Sequence, residues 1–316
     1  MLLVVLSAVM ALCTLLFGFA RTTRLSLAQA DSFYRTEQAW SAAWGGLQIA
    51  LALVRDANEA GVDPRYAQLP TAENTFAVGD ANCTVVLGSE NGLLNVNRLT
   101  TPDGRIDRRR IDQFLRLIDA LNHQEKEAPP LGYGLVPATI DWVDRNDDVS
   151  CLAFVQRDNL GAENDYYQTR TPPYPCRNGP VNALEELLWV KGMTPEDFAR
   201  LRPALTCLGD GKIDINTAPK LVLQSLSEQM DAALADRIIQ QRKLKPFQTL
   251  GELREVPGMT DAVCGDVGAL GTVRPQERFY RVTAQGRHQD YRCTIEALLR
   301  KNTQAGTVDI IQYREL

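Results

Sequence analysis

The chain has 316 residues, of which 45% are hydrophobic and 23% charged, and its formal net charge at pH 7 is −5. This composition is typical of a globular protein that buries a core, and it excludes a disordered chain, a collagen and a protein with several membrane spans. The negative charge excludes a protein-wide basic surface for nucleic acid or anionic lipid. The only two histidines are His123 and His288, which excludes a histidine-rich metal site.

Residues 1–20 carry no charge and are almost entirely apolar. Twenty helical residues span about 30 Å, the hydrocarbon thickness of a bilayer. Apolar side chains continue at near-helical spacing, without a proline, as far as Val54. We therefore predict one helix over residues 1–54, with its first half in the membrane and its second half packed on a soluble domain. The alternative is a cleaved secretory signal, but no basic region precedes the apolar segment.

The side of the membrane on which the rest of the chain lies is indicated in two conflicting ways. Arg21 and Arg24 flank the carboxyl end of the apolar segment, and the positive-inside rule would place that end in the cytoplasm. The six cysteines beyond the segment are dispersed, with no Cys-x-x-Cys pair. That spacing excludes a zinc ribbon and favours an oxidising periplasm. A basic leader ahead of Met1 would reconcile the two indications.

Two groups of short strands are predicted, one on each side of the middle of the chain. Residues 76–97 contain β-branched and apolar segments interrupted by turn residues. Near the carboxyl end, alternating apolar residues predict three strands joined by turns. These three strands cover residues 279–285, 291–299 and 308–313.

Residues 101–271, between the two groups of strands, are predicted to be mainly helical. The apolar spacing over residues 111–121 is that of an amphipathic helix. Residues 129–180 are rich in proline and are predicted to form a long loop.

Two internal repeats occur in or beside the helical region. Residues 186–194 match residues 252–260, and residues 92–97 match residues 211–216. The first pair predicts a helix, a tight glycine turn and a second helix, as in helix-hairpin-helix modules. Such hairpins can bind DNA, but residues 101–271 contain 26 acidic and 20 basic side chains, so a duplex would be repelled on average. We therefore favour a structural or protein-contact role for these units.

Four short motifs then point to one family. They are Asp141-Trp142-Val143-Asp144, Gly161-Ala162-Glu163, Glu186-Leu187 followed by Val190-Lys191-Gly192, and Ile215-Asn216-Thr217-Ala218. With the long apolar helix and the helical middle region, this ordered set resembles the K-type minor pseudopilins of type II secretion systems, the GspK family, over essentially the whole chain. Two features depart from that family. Asn164 replaces an aspartate after Gly-Ala-Glu, and the sequence lacks the basic leader that ends in glycine, so we expect it to begin at or near the mature residue.

The resemblance implies a pilin-like α+β fold. The helix over residues 1–54 would pack on an antiparallel sheet formed near residues 75–97 and 278–314, within an α/β scaffold made of residues 55–100 and 272–316. Residues 101–271 would form an inserted all-α domain that contains the helix-hairpin-helix, or SAM-like, repeats.

The resemblance also implies a function and partners. The chain would be a minor pseudopilin at the tip of the secretion pseudopilus, where it helps to initiate assembly and protein export across the outer membrane. It would be anchored by one span in the inner membrane, with its soluble domain in the periplasm. The expected partners are the I-type and J-type minor pseudopilins, other pseudopilins and the inner-membrane assembly platform, with no nucleic acid and no small-molecule substrate. The alternative is a membrane-anchored periplasmic helix-hairpin-helix protein that binds DNA.

The sequence offers no motif that marks an enzyme. It contains neither a nucleophile elbow nor a phosphate-binding Gly-Lys-Ser/Thr motif. Carboxylates are abundant, but nothing marks one of them as a catalytic acid or base. We therefore predict that the chain is not an enzyme.

The acidic stretch from residue 141 to residue 165 is the best candidate for an ion site. Oxygen-bearing side chains alternate at 144, 146 and 148, as in the first half of an EF-hand loop, but Val149 and Val155 occupy the positions that need glycine and a bidentate glutamate. Oxygen ligands from an irregular segment suit Ca²⁺, and the alternative is a solvated acidic loop. The family resemblance favours calcium. The predicted ligands are Asp144, Asn146, Asp148, Glu163, Asn164 and Asp165.

A disulfide is predicted between Cys151 and Cys176, which lie 25 residues apart in the proline-rich stretch. Closing that loop would add roughly 3 kcal/mol of stability by the chain-entropy estimate. Weaker candidates among the possible pairings are Cys83 with Cys293 and Cys207 with Cys264.

Overall fold

A computed structural model describes residues 1–56, 74–101, 103–155 and 159–316 of the chain. Part of the predicted scaffold segment 55–100 therefore lies outside the described residues.

The amino-terminal helix α1 is continuous from Leu2 to Asp56, which confirms the single helix predicted over residues 1–54. Its first half is apolar, has no buried residue and is long enough to cross a membrane, and no other helix in the described ranges is both long and apolar enough to do so. The buried positions begin only at Ala39 and recur at helical spacing along the second half. They are Ala39, Ala42, Ala43, Gly46, Leu47, Ala50 and Val54.

A five-stranded antiparallel sheet packs against the second half of α1. Its strands are β1 (Asn74–Val78), β2 (Ala81–Ser89), β7 (Glu277–His288), β8 (Tyr291–Asn302) and β9 (Val308–Glu315). Their order across the sheet is β1-β2-β7-β8-β9, so the two predicted groups of strands meet where β2 pairs with β7. The sheet is therefore built from the predicted segments, and most of the chain is inserted between those two adjacent strands.

Glycines allow α1 to lie close to the sheet. A Cβ atom on Gly286 of β7 would lie 1.9 Å from the carbonyl oxygen of Ala39, and one on Gly46 would lie 2.1 Å from the Cys83 sulfur. At the far end of α1, the buried Lys301 of β8 donates to the carbonyl oxygens of Val54 at 2.8 Å and Arg55 at 3.1 Å. A cation at this end also favours the helix dipole.

The inserted region has its own hydrophobic core, which extends from Leu94 to Val273 and so reaches slightly beyond the predicted range 101–271 at both ends. The predicted helix over residues 111–121 is part of a longer helix, α2. The α-helices are α2 (Arg108–Gln124), α3 (Leu135–Val143), α4 (Asn164–Gln168), α5 (Pro195–Leu201), α6 (Lys220–Ser225), α7 (Ala232–Leu244) and α8 (Asp261–Leu270). The 3₁₀ helices are Val96–Arg98, Leu184–Trp189, Arg202–Ala204 and Leu250–Glu255.

Two predictions for this region need correction. The stretch 129–180 is not all loop, because it contains α3 and α4. All nine residues of α3 are buried, so its sequence lacks the apolar–polar period that marks a surface helix. The insertion is also not purely helical, since it contains two parallel pairs of two-residue strands. These are β3 (Leu94–Asn95) with β4 (Leu205–Thr206), and β5 (Ile213–Asp214) with β6 (Gly271–Thr272).

The strand pairs belong to two structural repeats. In the first, the side-chain amide of Asn97 donates to the carbonyl oxygen of Val181 and accepts from its N–H, at 2.9 and 2.8 Å. In the second, Asn216 makes the same two bonds to Phe247, both at 2.9 Å. The matched sequences 92–97 and 211–216 thus begin two repeats with the same arrangement of elements. The first repeat ends in β4 and the second in β6.

The matched hairpins form the second half of each repeat. Gly192 and Gly258 have φ of +82° and +92°, a conformation that glycine adopts without steric cost. The following helix begins in each case with a threonine whose hydroxyl caps it, Thr194 before α5 and Thr260 before α8. The predicted helix before each turn is a 3₁₀ segment in the structure, so the pattern differs from two full α-helices.

The two repeats differ by one long segment. In the second, only two residues separate the end of α7 at Leu244 from Phe247. In the first, residues 125–180 separate the end of α2 from Val181. This extra segment contains α3, α4 and every residue of the predicted calcium site.

Candidate metal centre

Three buried carboxylates meet inside the extra segment. Asp141 lies in the last turn of α3, Asp144 directly follows that helix, and Glu163 directly precedes α4. One carboxylate oxygen from each of the three residues lies within 4.8 Å of the corresponding oxygens of the other two. The exposed fractions are 0%, 4% and 4%, whereas acidic side chains are almost never fully buried without a partner.

The local sequence explains how the three carboxylates meet. Asp141 and Asp144 are three residues apart, which places them on one face at the end of α3. The chain then returns alongside α3, because the N–H of Ser150 donates to Asp141 Oδ1 at 3.0 Å and the N–H of Gly161 donates to the carbonyl oxygen of Ser150 at 2.9 Å. Glu163 follows two residues later and therefore reaches the two aspartates.

Several of these oxygens have no hydrogen-bond donor among the residues that the structure describes. These buried oxygens are Asp144 Oδ1 and both carboxylate oxygens of Glu163. Burial, followed by the charge of Asp141, raises the pKa of Asp144 to about 6 and that of Glu163 to about 8. Burial also raises the pKa of Asp141. Unpaired buried carboxylates are costly, and a divalent cation bound between them would remove that cost. The donor set therefore fits a hard, oxygen-binding ion.

Of the six predicted ligands, the structure brings only Asp144 and Glu163 into this cluster. Asn146 donates to Asp144 Oδ2 at 2.9 Å and accepts from the N–H of Asp148 at 2.7 Å, so it orients Asp144. Asn164 accepts from the N–H of Cys176 at 3.3 Å. Asp148, Asn164 and Asp165 are exposed.

Asp141 is the member of the cluster that the predicted ligand set omits. It lies inside a short apolar stretch, and its motif is evident in the sequence as Asp141-Trp142-Val143-Asp144. The spacing of the two aspartates could have identified Asp141 as a ligand, because residues at i and i+3 share one face of a helix. The sequence predicts a loop at these residues, so the spacing alone did not bring Asp141 and Asp144 together.

The structure does not contain the predicted Cys151–Cys176 disulfide, and both cysteines are free. Cys151 is exposed, whereas Cys176 is buried and its thiol donates to the carbonyl oxygen of Asp141 at 3.5 Å. Burial raises the pKa of Cys176 to about 12, which keeps it a neutral thiol beside the carboxylates.

The two weaker disulfide candidates are not formed either. Cys83 and Cys293 both face Gly286, from the strands on either side of it. They are therefore two strand spacings apart, about 9–10 Å, which is beyond the reach of a disulfide. Cys207 and Cys264 are also free.

Comparisons with known proteins identify relatives for both repeats. A family model described as type II secretion system (T2SS), protein K matches residues 92–210, and a second model with the same description matches residues 213–268. Each model covers one of the two structural repeats, and together they match more than half of the chain.

Individual relatives agree with the family models. The type II secretion system protein K of Pseudomonas aeruginosa is 25% identical over 315 residues, which cover 95% of this chain and 86% of that protein. The protein of the same name from Aeromonas hydrophila is 26% identical over 231 residues, which cover 68% of this chain and 65% of that one.

The fold is also similar to a solved structure. A chain in the crystal structure of the GspK-GspI-GspJ complex from the enterotoxigenic Escherichia coli type 2 secretion system matches with a TM-score of 0.65 at 18% identity. The match covers 93% of this chain and 99% of that one. These comparisons do not support the alternative of a DNA-binding protein, and they place the chain among structural components of secretion systems instead of a known enzyme class.

Proposed function

Because the chain belongs to the type II secretion system protein K family and is a minor pseudopilin, we propose that it caps the tip of the secretion pseudopilus. At that position it would help to initiate assembly and protein export across the outer membrane. The single observation that carries this proposal is where the insertion is attached to the pilin-like scaffold.

The insertion leaves and rejoins the sheet at the end farthest from the membrane span. It begins after Ser89 of β2 and ends before Glu277 of β7, and the N–H of Glu90 donates to the carbonyl oxygen of Phe279 across this joint at 2.9 Å. The paired strand β8 contacts the carboxyl end of α1 through Lys301 at the same end. The opposite end of β8 is nearer the membrane span, since the Tyr291 hydroxyl lies 3.0 Å from Ser32 Oγ.

The joint between the sheet and the insertion is held by buried polar contacts. Glu90 accepts from Arg281 Nε at 2.8 Å and from the Thr206 hydroxyl at 2.6 Å. Asn91 donates to the carbonyl oxygen of Glu277 at 2.8 Å and accepts from the N–H of Phe279 at 2.7 Å. A bulky region fixed above α1 leaves room for subunits beside and below this one but not above it.

The partners we propose are the I-type and J-type minor pseudopilins, since the related solved chain occurs in a GspK-GspI-GspJ complex. The second half of α1 carries aromatic side chains that its own sheet covers only in part. Phe33 is 68% exposed and Tyr34 53%, and Trp40 stacks on Trp44 with ring centroids 6.0 Å apart. The side chains that carry most of the binding energy in interfaces are enriched in tryptophan and tyrosine. The other proposed contacts are further pseudopilins and the inner-membrane assembly platform.

The proposed location is the inner membrane, crossed once by α1, with the sheet and the insertion in the periplasm. The exposed apolar first half of α1 supports the anchor, and the family supports the location. The hairpin units are proposed to have a structural or protein-contact role within the insertion, where Leu187 and Leu253 bury their 3₁₀ segments in its core.

We further propose that Asp141, Asp144 and Glu163 bind Ca²⁺. The support is the set of ligands itself, which consists of three buried carboxylates. Within the described part of the chain, three of their oxygens have no hydrogen-bond donor. The ion would supply charge neutralisation and would have no part in a reaction. Because it would bind the folded chain and not the unfolded one, it would stabilise the insertion by mass action.

Site-specific photocrosslinking tests the tip position. The full chain, with a photoreactive amino acid at Phe33 or at Leu244, would be produced together with the other pseudopilins. Phe33 lies on α1, whereas Leu244 is 84% exposed at the end of α7 in the insertion. We expect crosslinks to the I-type or J-type subunit from position 33 and markedly fewer from position 244. No crosslink to either subunit from position 33, or equal crosslinking from the two positions, would contradict the proposed contacts along α1.

A further inference from the structure

Lys191 lies at the turn of the first repeat, one residue before Gly192, and its side chain extends to the metal-centre segment. The ammonium group donates to the carbonyl oxygens of Leu160 and Gly161, at 3.3 and 3.0 Å. The main-chain N–H of Lys191 donates to the hydroxyl of Tyr167 at 3.2 Å. Tyr167 is fully buried, so this second contact is shielded from water.

These contacts hold the chain on both sides of Glu163. Gly161 precedes Glu163 by two residues, and Tyr167 follows it by four. Gly161 also packs directly on the carboxylate of Asp141, since a Cβ there would lie 2.0 Å from Asp141 Oδ2. A single residue of the hairpin turn therefore fixes how Glu163 approaches the aspartates of α3.

The second repeat shows that the turn itself does not need a lysine. The matching sequence there is Val256-Pro257-Gly258, and Gly258 adopts the same left-handed conformation as Gly192. That repeat has proline at the matching position and also lacks the extra segment. The lysine therefore occurs only in the repeat of the two that contains the carboxylate cluster.

The charge of Lys191 alone would have the opposite effect on a bound cation. The ammonium makes no ion pair with a carboxylate in the described ranges of the chain, but it is near enough to Asp141 to oppose the rise in the pKa of that group caused by burial. A positive charge beside a metal centre repels the metal. If Lys191 acted only through its charge, its removal would strengthen metal binding.

We propose that Lys191 is a positioning residue for the metal centre, which it preorganises by fixing the segment around Glu163. This inference rests on the proposed calcium site and adds to it a residue from outside the carboxylate cluster. It predicts that neutralising Lys191 weakens calcium binding, although a repulsive charge has been removed. Residues that orient metal ligands from outside the ligand set change affinity by about 10–100-fold when mutated.

The test is calorimetric titration of calcium into the full chain in detergent. We expect Lys191→Met to bind calcium at least about tenfold more weakly than the wild type. Lys191→Gln, which keeps a hydrogen-bond donor without the charge, should fall between the two. Either variant is informative if the other fails to fold.

Arg242 provides a matched control in the second repeat. It also donates from a cationic side chain to two main-chain carbonyls, those of Ile215 at 2.7 Å and Ala218 at 2.8 Å. Arg242→Met should lower the thermal midpoint and leave calcium affinity unchanged, which separates positioning of the site from general destabilisation. Equal or tighter calcium binding by Lys191→Met or Lys191→Gln would overturn the positioning role alone. A wild-type chain that binds no calcium would overturn the proposed site and, with it, this inference.

Discussion

The backbone of Gly161 lies directly against the carboxylate of Asp141. A Cβ atom at position 161 would lie 2.0 Å from Asp141 Oδ2 and 2.7 Å from the carbonyl oxygen of Pro137. No side chain fits between these groups, so only glycine allows the segment that carries Glu163 to pass so close to α3. This close approach gives a physical reason for the glycine of the Gly-Ala-Glu motif.

Replacing Gly161 by alanine should therefore damage both stability and the metal centre. We expect Gly161→Ala to destabilise the protein by about 1–3 kcal/mol, as overpacking of a buried site does, and to weaken calcium binding. Chemical unfolding with and without calcium measures both effects. Gly268→Ala is the control, because a Cβ at position 268 of α8 would meet nothing within 4 Å. If Gly161→Ala behaves like this control, the close packing around Asp141 is not what holds the site.

The metal-free protein should lose stability as the pH rises. Burial raises the pKa of Glu163 from 4.5 to about 8 and that of Asp144 from 3.8 to about 6. The folded chain then binds these protons more tightly than the unfolded chain, so their contribution is fully present below about pH 4 and is lost as the pH rises to about 8. Saturating calcium should remove or reverse this loss, because the ion binds the deprotonated carboxylates.

Thermal midpoints measured between pH 4 and pH 8, with calcium and with a chelator, check this expectation. The two curves should diverge as the pH rises. Parallel curves would show that calcium does not bind at these carboxylates.

Glu163→Gln should separate stability from metal binding. The glutamine cannot ionise, so the cost of burying an unpartnered charge disappears. We expect the variant to be at least as stable as the wild type in chelator at pH 8 but to gain much less stability from calcium. Calcium-dependent melting curves provide the measurement.

Asp165→Asn is the matched control for Glu163→Gln. Asp165 is exposed in the first turn of α4, although the sequence predicts it as a ligand. The Asp165→Asn variant should gain as much thermal stability from calcium as the wild type does. A lost response would mean that the ion is held by the wider ligand set predicted from the sequence instead of the buried cluster.

The aromatic surface of α1 should contribute to partner binding and little to folding. Trp40 is 36% exposed and stacks on Trp44, which in turn contacts Tyr313 edge-on at 6.2 Å. We expect Trp40→Ala to weaken the complex with the I-type and J-type subunits at least about tenfold, as loss of an aromatic anchor does. Trp189→Ala, at a more exposed position of the insertion, should leave affinity unchanged. Pull-down titrations measure the affinity of each variant for the two subunits. Equal affinities of Trp40→Ala and Trp189→Ala would contradict the proposed interface.

The elements that the sequence predicts well are those with a signal that extends over many residues. The helix over residues 1–54 begins with a continuous apolar segment and contains no proline, and the strands after residue 278 have alternating apolar residues, so pattern and structure agree. The helix α3 has no such period because it is buried on every side. The two-residue strands of the repeats are too short to have one, and the matched Asn97 and Asn216 are their clearest sign.

The candidate site was predictable in position but not in its members. Acidic side chains between residues 141 and 165 indicate an oxygen-ligand site, but they do not show which side chains are turned inward. Burial selects Asp144 and Glu163 and adds Asp141, whereas Asp148 and Asp165 face solvent. Cysteine connectivity is equally undetermined by sequence, since it depends on which strands and loops become neighbours.

The proposal that this chain caps a pseudopilus by joining two other minor pseudopilins is tested most directly by the mass of the assembly. The full chain would be purified in detergent with the I-type and J-type subunits, and the protein mass of the complex measured by light scattering. We predict a closed complex with one copy of each subunit, and no larger species when the chain is purified alone. A chain that remains a monomer in the presence of both partners, or that forms a filament by itself, would contradict the account.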